Sequence, residues 1–440
     1  MKKNNAILVM IALIFFTAIG WYAVFNNKAE MQKQYDEYIN LAKKFEEKEI
    51  YVDALDNYRS ALELNPNDYD ITMKMAEMYY KLGDKNGFIE MNEAAIKINP
   101  SGIDPYLDEA KYYLEIADYK NALNVTERAE KWIQDNEELN SLISELSVKA
   151  VNKYVSFERC MDWHVQDDGS YIPAYLGDKW GLIDSNGMKK IQPKFDYLGA
   201  YDCESGVLPA CLEGEWYYID LKGYKKLVGD NKYQFLGSFG NGLAPAQKNN
   251  SYGYIDKDFN EQKFEFNFAG SFANNVAAVQ KGNKWAIIDN KLNEITGFDY
   301  DEIKTDTYGY CSMYGIIAVK AGNVWSLIDL SGKPISNDTF EEVKLPASKD
   351  EPVAVMKNKK WGYVDSKGAV VIEPKYDDAY SFSLGLAPVK VNNKWGYINL
   401  KNALVIDSVY EEAYPFSSDG RAVINDGYFY DFIVLCKYDG

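Results

Sequence analysis

The apolar and polar positions of the chain fall into three successive patterns. Residues 6–25 are 20 positions in a row without a charge, preceded by Lys2 and Lys3, and that length suffices to cross a bilayer core of about 30 Å as a helix. The basic flank predicts a cytoplasmic amino terminus, a single-pass cell-membrane anchor, and an extracytoplasmic remainder after about residue 27. Secretion after signal cleavage near Gly20 is the alternative. From about residue 31 to 153 the apolar positions recur every three or four residues, which predicts amphipathic helices; Leu139, Leu142, Ile143 and Leu146 mark a capping helix over about 135–153. Beyond residue 154 the period drops to two. Val353-Ala354-Val355 leads into a short turn and Trp361-Gly362-Tyr363-Val364-Asp365 leads out, so Trp361, Tyr363 and Asp365 share one face of a strand while Gly362 and Val364 share the other. Both faces are apolar, and such a strand needs covering on both sides. Three domains follow: a cytoplasmic stub and anchor over 1–30, helices over 31–153, and a β region over 154–440.

Internal repeats sharpen the helical part. Asn65-Pro66 recurs as Asn99-Pro100, 34 residues on. Counted from Tyr35, the first repeat places Leu41, Ala42, Phe45, Tyr51, Ala54, Tyr58, Ala61 and Pro66. The second, from Tyr69, supplies Met75, Ala76, Tyr79, Ala95 and Pro100, and the third, from Ile103, supplies Ala110, Tyr113, Tyr119, Ala122 and Ala129. Alanine at helix crossings permits close backbone approach while aromatic knobs fill the grooves. The pattern resembles the tetratricopeptide (TPR) family, which implies an α-solenoid able to bind peptides. Members that clamp a terminal carboxylate use Lys, Arg and Asn at positions held here by Ile39, Lys43, Lys74, Asp104 and Asp108. That clamp is absent, and the pattern singles out no binding residue.

A second repeat fills the β region. Its aromatics are Trp180, Trp216, Tyr252, Trp285, Trp325, Trp361 and Trp395, at spacings of 36, 36, 33, 40, 36 and 34, with Tyr428 as a degenerate eighth. Pairs such as Gly177-Asp178, Asn358-Lys359 and Asn392-Asn393 precede them and suit two-residue hairpin turns. Four residues after each aromatic stands Asp184, Asp220, Asp256, Asp289, Asp329, Asp365 or Asn399. The small residue after the aromatic (Gly181, Gly253, Ala286, Ser326, Gly362, Gly396) is expected to leave a hollow for a side chain of the next unit, with its Trp as the candidate; Tyr217 departs from the pattern and predicts different packing in the second copy. The copy Lys360-Trp361-Gly362-Tyr363-Val364-Asp365, Val371-Ile372-Glu373-Pro374-Lys375-Tyr376, Gly385-Leu386-Ala387-Pro388-Val389 resembles the bacterial WG-repeat family. The resemblance implies a repeat architecture and names no reaction. The fold class is therefore a multidomain α plus all-β repeat protein, in which a TPR-like solenoid precedes a β-hairpin array closed as a propeller-like ring or left as an open β superhelix. Tyr154 to Trp163, with Val155 and Phe157, can supply outer strands that the last unit lacks.

Composition narrows function further. The net charge of −18 is spread over both halves and shows no clustered Lys and Arg, which excludes nucleic acid as a partner. Five widely spaced cysteines (Cys160, Cys203, Cys211, Cys311, Cys436) fit neither a disulfide framework nor a metal knuckle. His164 is the only histidine, which removes triads and histidine metal clusters. The recurrent Asp reads as a turn former rather than a calcium ligand, since Asp184-Ser185-Asn186-Gly187 lacks the later ligands of a binding loop. The carboxylate pairs Glu341-Glu342, Asp377-Asp378 and Glu411-Glu412 give a glycan-active enzyme its one foothold. The expectation is a membrane-anchored binding or scaffolding protein without catalysis, cofactor or metal, whose partner is a protein or peptide. A cell-wall or carbohydrate-binding module is the alternative, because 36 tyrosines and nine tryptophans could include faces that stack on sugars.

Overall fold

The computed structural model describes residues 28–157, 159–160, 171–184, 187–227, 233–312 and 314–437. The chain divides into two compact units between Leu146 and Ser147.

The first unit is helical. Its elements are α1 (28–46), α2 (Tyr51–Leu64), α3 (Tyr69–Lys81), α4 (Lys85–Ile98), α5 (Asp104–Glu115), α6 (Tyr119–Glu130) and α7 (Glu137–Leu146). Three starts are written locally: the side chains of Asp68, Asp84 and Asp118 accept backbone N–H groups at the heads of α3, α4 and α6, satisfying donors that a helix leaves unpaired. Ala42, Ala54, Ala61, Ala76, Ala95, Ala110, Ala122 and Ala129 are all buried, as expected of crossing points. Leu41, expected to pack, stays exposed. Gly87 shows how close the approach is, since a Cβ there would lie 2.3 Å from the Tyr79 ring. The capping helix is shorter than its predicted span, ending at Leu146, and the chain turns to strand at Ala150.

The anchor expectation is corrected. Among the described residues no helix is long and apolar enough to cross a membrane. Helices α2 to α7 run 10 to 14 residues with one buried face each, short of the roughly 20 apolar residues that spanning requires, and α1 carries charges along its length. Residues 6–25, including Gly20, lie outside the described residues. The single-pass membrane localisation and the extracytoplasmic placement that rested on it do not stand.

The second unit is an eight-bladed β-propeller. Eight small antiparallel sheets follow one another, each built as a short first strand, a hairpin of two longer strands and, in six of them, a fourth strand. Ala150–Phe157 closes the ring: it pairs antiparallel with Tyr430–Leu435, in the register Ala150↔Leu435 to Lys153↔Phe432, as the fourth strand of the last blade. An open superhelix would leave that edge unpaired, so closure decides between the two architectures. The strand begins four residues before the segment from Tyr154 expected to play this part, and Arg159–Cys160 already belongs to the first blade.

Within a blade the aromatic slot and the small residue after it form one device. Trp361 pairs with Tyr376 and Tyr363 with Ile372, so Glu373-Pro374-Lys375 bulges opposite Gly362. A Cβ on Gly362 would stand 2.5 Å from the Ile372 carbonyl oxygen, and Gly181 and Gly396 meet Ile191 and Ile406 in the same way at 2.6 Å. The hollow is thus filled by the fourth strand of the same blade, not by the next unit's Trp, because a bulge presses backbone against the neighbouring strand. Ala286 and Ser326 occur in the two three-stranded blades, where only isolated bridges (Trp285↔Tyr300, Trp325↔Phe340) replace the fourth strand. Tyr217 does pack differently, with Lys225 Nζ 3.8 Å from its ring centre.

Candidate functional site

The chemistry-bearing side chains of the propeller repeat are largely spent on building it. Each recurrent Asp caps a turn: one oxygen of Asp220, Asp256, Asp289, Asp329 and Asp365 accepts the backbone N–H groups two and four residues on, at 2.8–3.0 Å. Asn399 does the same, since its amide oxygen is an equivalent acceptor. Donors hold two of these carboxyls low: the Asn293 amide and backbone N–H groups do so for Asp289, and the Ser331 hydroxyl with its own set for Asp329. Ser185 and Asn186 lie outside the described residues, and the described Asp184 accepts Met188 N–H at 2.9 Å.

The carboxylate pairs have separate duties. The first member holds its own hairpin turn, reaches back to the blade before, or does both: Asp301 accepts Lys284 Nζ from the blade before at 2.7 Å and the Gly322 N–H of its own hairpin turn at 2.7 Å. Asp196 does likewise with Lys179 and Glu213 N–H, and both contacts depress its carboxyl. Glu341 accepts Asn358 and Lys359 N–H, while Asp377 and Glu411 receive Lys360 and Lys394. The second members lie on first strands, where Glu342 pairs with Lys304, and Asp378 stands 3.4 Å from Lys344. No described group of three or more His, Cys, Asp or Glu converges as a metal site. His164 lies outside the described residues.

The tryptophans divide into two groups. Trp180, Trp325, Trp361 and Trp395 are buried, whereas Trp216, Tyr252 and Trp285 are half-buried. Tyr430, paired with Asn425 as Trp361 is with Met356, fills the eighth aromatic slot. Tyr428 instead sits in a longer turn and is 88% exposed. From the second to the fourth blade, half-buried rings form a continuous ladder, Tyr197–Trp216–Phe235–Tyr252–Phe268–Trp285, with centroids 5.1–6.0 Å apart and planes inclined by 43–62°. In later blades lysines cover the rings: Lys304 and Lys320 over Trp325, Lys344 over Trp361 and Tyr380.

One segment of the fifth blade ties together blades that are not its neighbours. Tyr308 and Tyr310, from the long segment behind the 40-residue spacing, are buried against Ala200 of the second blade. Tyr310 Oη donates to the Phe239 carbonyl of the third blade, and Ser271 Oγ of the fourth donates to the Tyr308 carbonyl. Burial pushes the adjacent Cys311 thiol up to about 12, which removes its thiolate at neutral pH. Cys211 and Cys436 are also buried, and Cys203 is exposed.

A groove opens on the helical unit between α3 and α5. It encloses about 270 Å³ and is lined by Glu77, Tyr80 and Lys81 of α3, Phe88 of α4, and Asp108, Lys111, Tyr112 and Glu115 of α5. Tyr80, Phe88 and Tyr112 form a mutual ring cluster with centroids 5.2–6.3 Å apart. Phe88 is buried and Tyr80 exposed. The Tyr80 hydroxyl donates to Glu115 at 2.8 Å. Lys111 is held by Glu138 at 2.6 Å, and Lys74 by Glu46 and Glu77 at 2.7 and 3.0 Å. Crowding by the groove walls, reinforced by Asp104, raises the Asp108 carboxyl even though part of it reaches solvent. Asp104, Asp108 and Lys74 were read from the sequence only as failures of a carboxylate clamp; the aromatic trio escaped notice because it combines two repeats.

With this geometry in place, comparison with known proteins is direct. The family model of the WG containing repeat matches residues 180–216, 232–252, 252–285, 361–395 and 395–428. The chain carries WG repeats. The stretch between Trp285 and Trp361, left unmatched, contains Ala286 and Ser326 in place of glycine. No curated protein matches the chain. Among solved structures, a crystal structure of a eukaryotic initiation factor is 12% identical over 56% of this chain and 76% of its own, with a TM-score of 0.40. The first TPR of Spaghetti bound to an HSP90 peptide is 16% identical over 26% of this chain and 90% of its own, with a TM-score of 0.23. The TPR2B domain of yeast Sti1, in a complex with pHsp70, is 20% identical over 26% and 94%, also with a TM-score of 0.23.

Proposed function

We propose that the protein is a non-catalytic scaffold that binds a protein or peptide partner through its helical unit and needs no cofactor. The observation that carries this reading is the α3–α5 groove, where Tyr80 and Tyr112 stand among carboxylates. The absence of catalysis is supported by the tasks of the repeated carboxylates, which cap turns and join blades and are thereby committed to the fold. A glycan ligand has weaker support. A sugar ring stacks on an open flat face, whereas the half-buried rings of the propeller are inclined into one another, the arrangement that aromatic packing favours.

Panning a random peptide library on the whole chain and on its Tyr80→Ala/Tyr112→Ala variant tests the reading. Sequences enriched on the parent and lost on the variant are expected. Failure to enrich any groove-dependent sequence, together with retention on a glycan array, would overturn it.

A further inference from the structure

We propose that the α3–α5 groove is a receptor for a lysine or arginine side chain of the partner, held over the Tyr80 and Tyr112 rings and among Glu77, Asp108 and Glu115. This rests on the protein-binding reading and specifies the chemistry of its ligand.

Charge is the first argument. Around the groove stand five carboxylates, Glu46, Glu77, Asp108, Glu115 and Glu138, against Lys74, Lys81 and Lys111. Lys74 is shared between Glu46 and Glu77, and Lys111 is drawn to Glu138, so two of the three lysines are already engaged, and with five carboxylates against three lysines the excess is negative. Burial by the groove walls, with Asp104 adding to it, raises the Asp108 carboxyl, and a cation beside it would favour the charged form. An anionic or carboxy-terminal ligand would meet repulsion here. A purely apolar side chain would strip water from the carboxylates and return no hydrogen bond, which is costly.

The aromatic wall is the second argument and is independent of the first. The ring cluster of Tyr80, Phe88 and Tyr112 gives a surface on which an aliphatic stem can lie, while ring faces attract a cationic head. The bond from Tyr80 to Glu115 ties one ring to one carboxylate, so the two elements that a cation needs arrive together. A bare metal ion fits less well, since no described cluster of three or more ligating side chains converges.

Fluorescence anisotropy with labelled hexalysine, hexa-arginine and hexaglutamate, added to the whole chain, tests the proposal. The two basic peptides should bind and hexaglutamate should not. Asp108→Asn/Glu115→Gln and, separately, Tyr112→Leu should each weaken binding about tenfold or more. Glu63→Gln, which removes an exposed carboxylate of α2 outside the groove, should leave it unchanged and so measures general attraction to an acidic protein. The charge variant changes only surface groups and reports even if Tyr112→Leu fails to fold. Equal weakening by Glu63→Gln, or unaltered binding by the groove variants, overturns the basic-ligand assignment. If groove-dependent peptides emerge from the library without lysine or arginine, this inference falls while the scaffold reading stands.

Discussion

At Gly362 a single methyl group is already too large. Its Cβ would lie 2.5 Å from the Ile372 carbonyl oxygen and 2.6 Å from Pro374 N, and backbone cannot yield as a side-chain tip does. Gly362→Ala should therefore destabilise the propeller by roughly 2–3 kcal/mol, read as a lower melting temperature. Ala286→Gly, in a blade without the bulged fourth strand, should cost no more than about 1 kcal/mol. Glu109 is the residue with the clearest dependence on pH. It is 2% exposed in the helical core, and burial, with Glu93 adding to it, raises its carboxyl to about 7. The folded chain thus keeps a proton that the unfolded chain has released, so the contribution is full below the ordinary value near 4.5 and is lost as pH rises through 7. Stability of the helical unit should fall by on the order of 2–3 kcal/mol between about pH 4.5 and 8, seen in urea melts by circular dichroism. Glu109→Gln should flatten that profile and stabilise the protein above pH 7; an unchanged slope would assign it elsewhere. No sequence signal marks Glu109, since burial of a polar side chain on α5 depends on what α4 and α6 bring against it.

At the scale of the hairpin, the turn and the strand after it are governed by local chemistry. Asn358 and Lys359 take positive φ, 53° and 59°, as do Asn392 and Asn393 at 52° and 64°, which is the conformation that a tight right-twisted hairpin needs. Asp365 closes the following turn through two backbone N–H groups. Asp365→Asn should be close to neutral, as Asn399 already shows in the next blade, whereas Asp365→Ala should cost roughly 1 kcal/mol. The aromatic slot separates core from surface more sharply. Trp361→Ala should cost about 3–5 kcal/mol because that ring is buried, while half-buried Trp216 should cost no more than about 2 kcal/mol. Equal losses at both positions would contradict the division seen in the structure. Interlocking between blades adds a second layer: the tyrosine two places after the aromatic packs on a phenylalanine of the following blade, with Tyr218–Phe239, Tyr254–Phe272, Tyr363–Phe382 and Tyr397–Phe416 centroids 4.7–5.0 Å apart. Three of these tyrosines, Tyr218, Tyr254 and Tyr397, also donate to the carbonyl two residues before that phenylalanine.

For the whole propeller, closure is the decisive contact. Removing residues 147–157 would expose the edge of Tyr430–Leu435, and an unpaired edge invites pairing with another chain. The truncated protein should melt less cooperatively and self-associate, as monitored by calorimetry and light scattering; a monomer with an unaltered melt would show that the closing strand is dispensable. What the sequence determined by itself is everything that repeats at short range: the 34-residue helical period, the aromatic slot, the turn pairs and the capping Asp. Each depends on neighbours a few residues away, so every copy restates it. The tertiary structure alone decided what depends on which copies meet. Closure needs two strands 285 positions apart in the chain, Ala150 opposite Leu435, and the tie between non-neighbouring blades needs Tyr310 of one against Phe239 of another. The hollow beside Gly362 was legible, but its occupant was not, because the bulge over it follows from strand register rather than composition. The groove belongs to the same class: Tyr80 and Tyr112 are ordinary positions in two helices until packing sets them on one cavity, where exposed aromatic and acidic groups become a surface instead of a pattern.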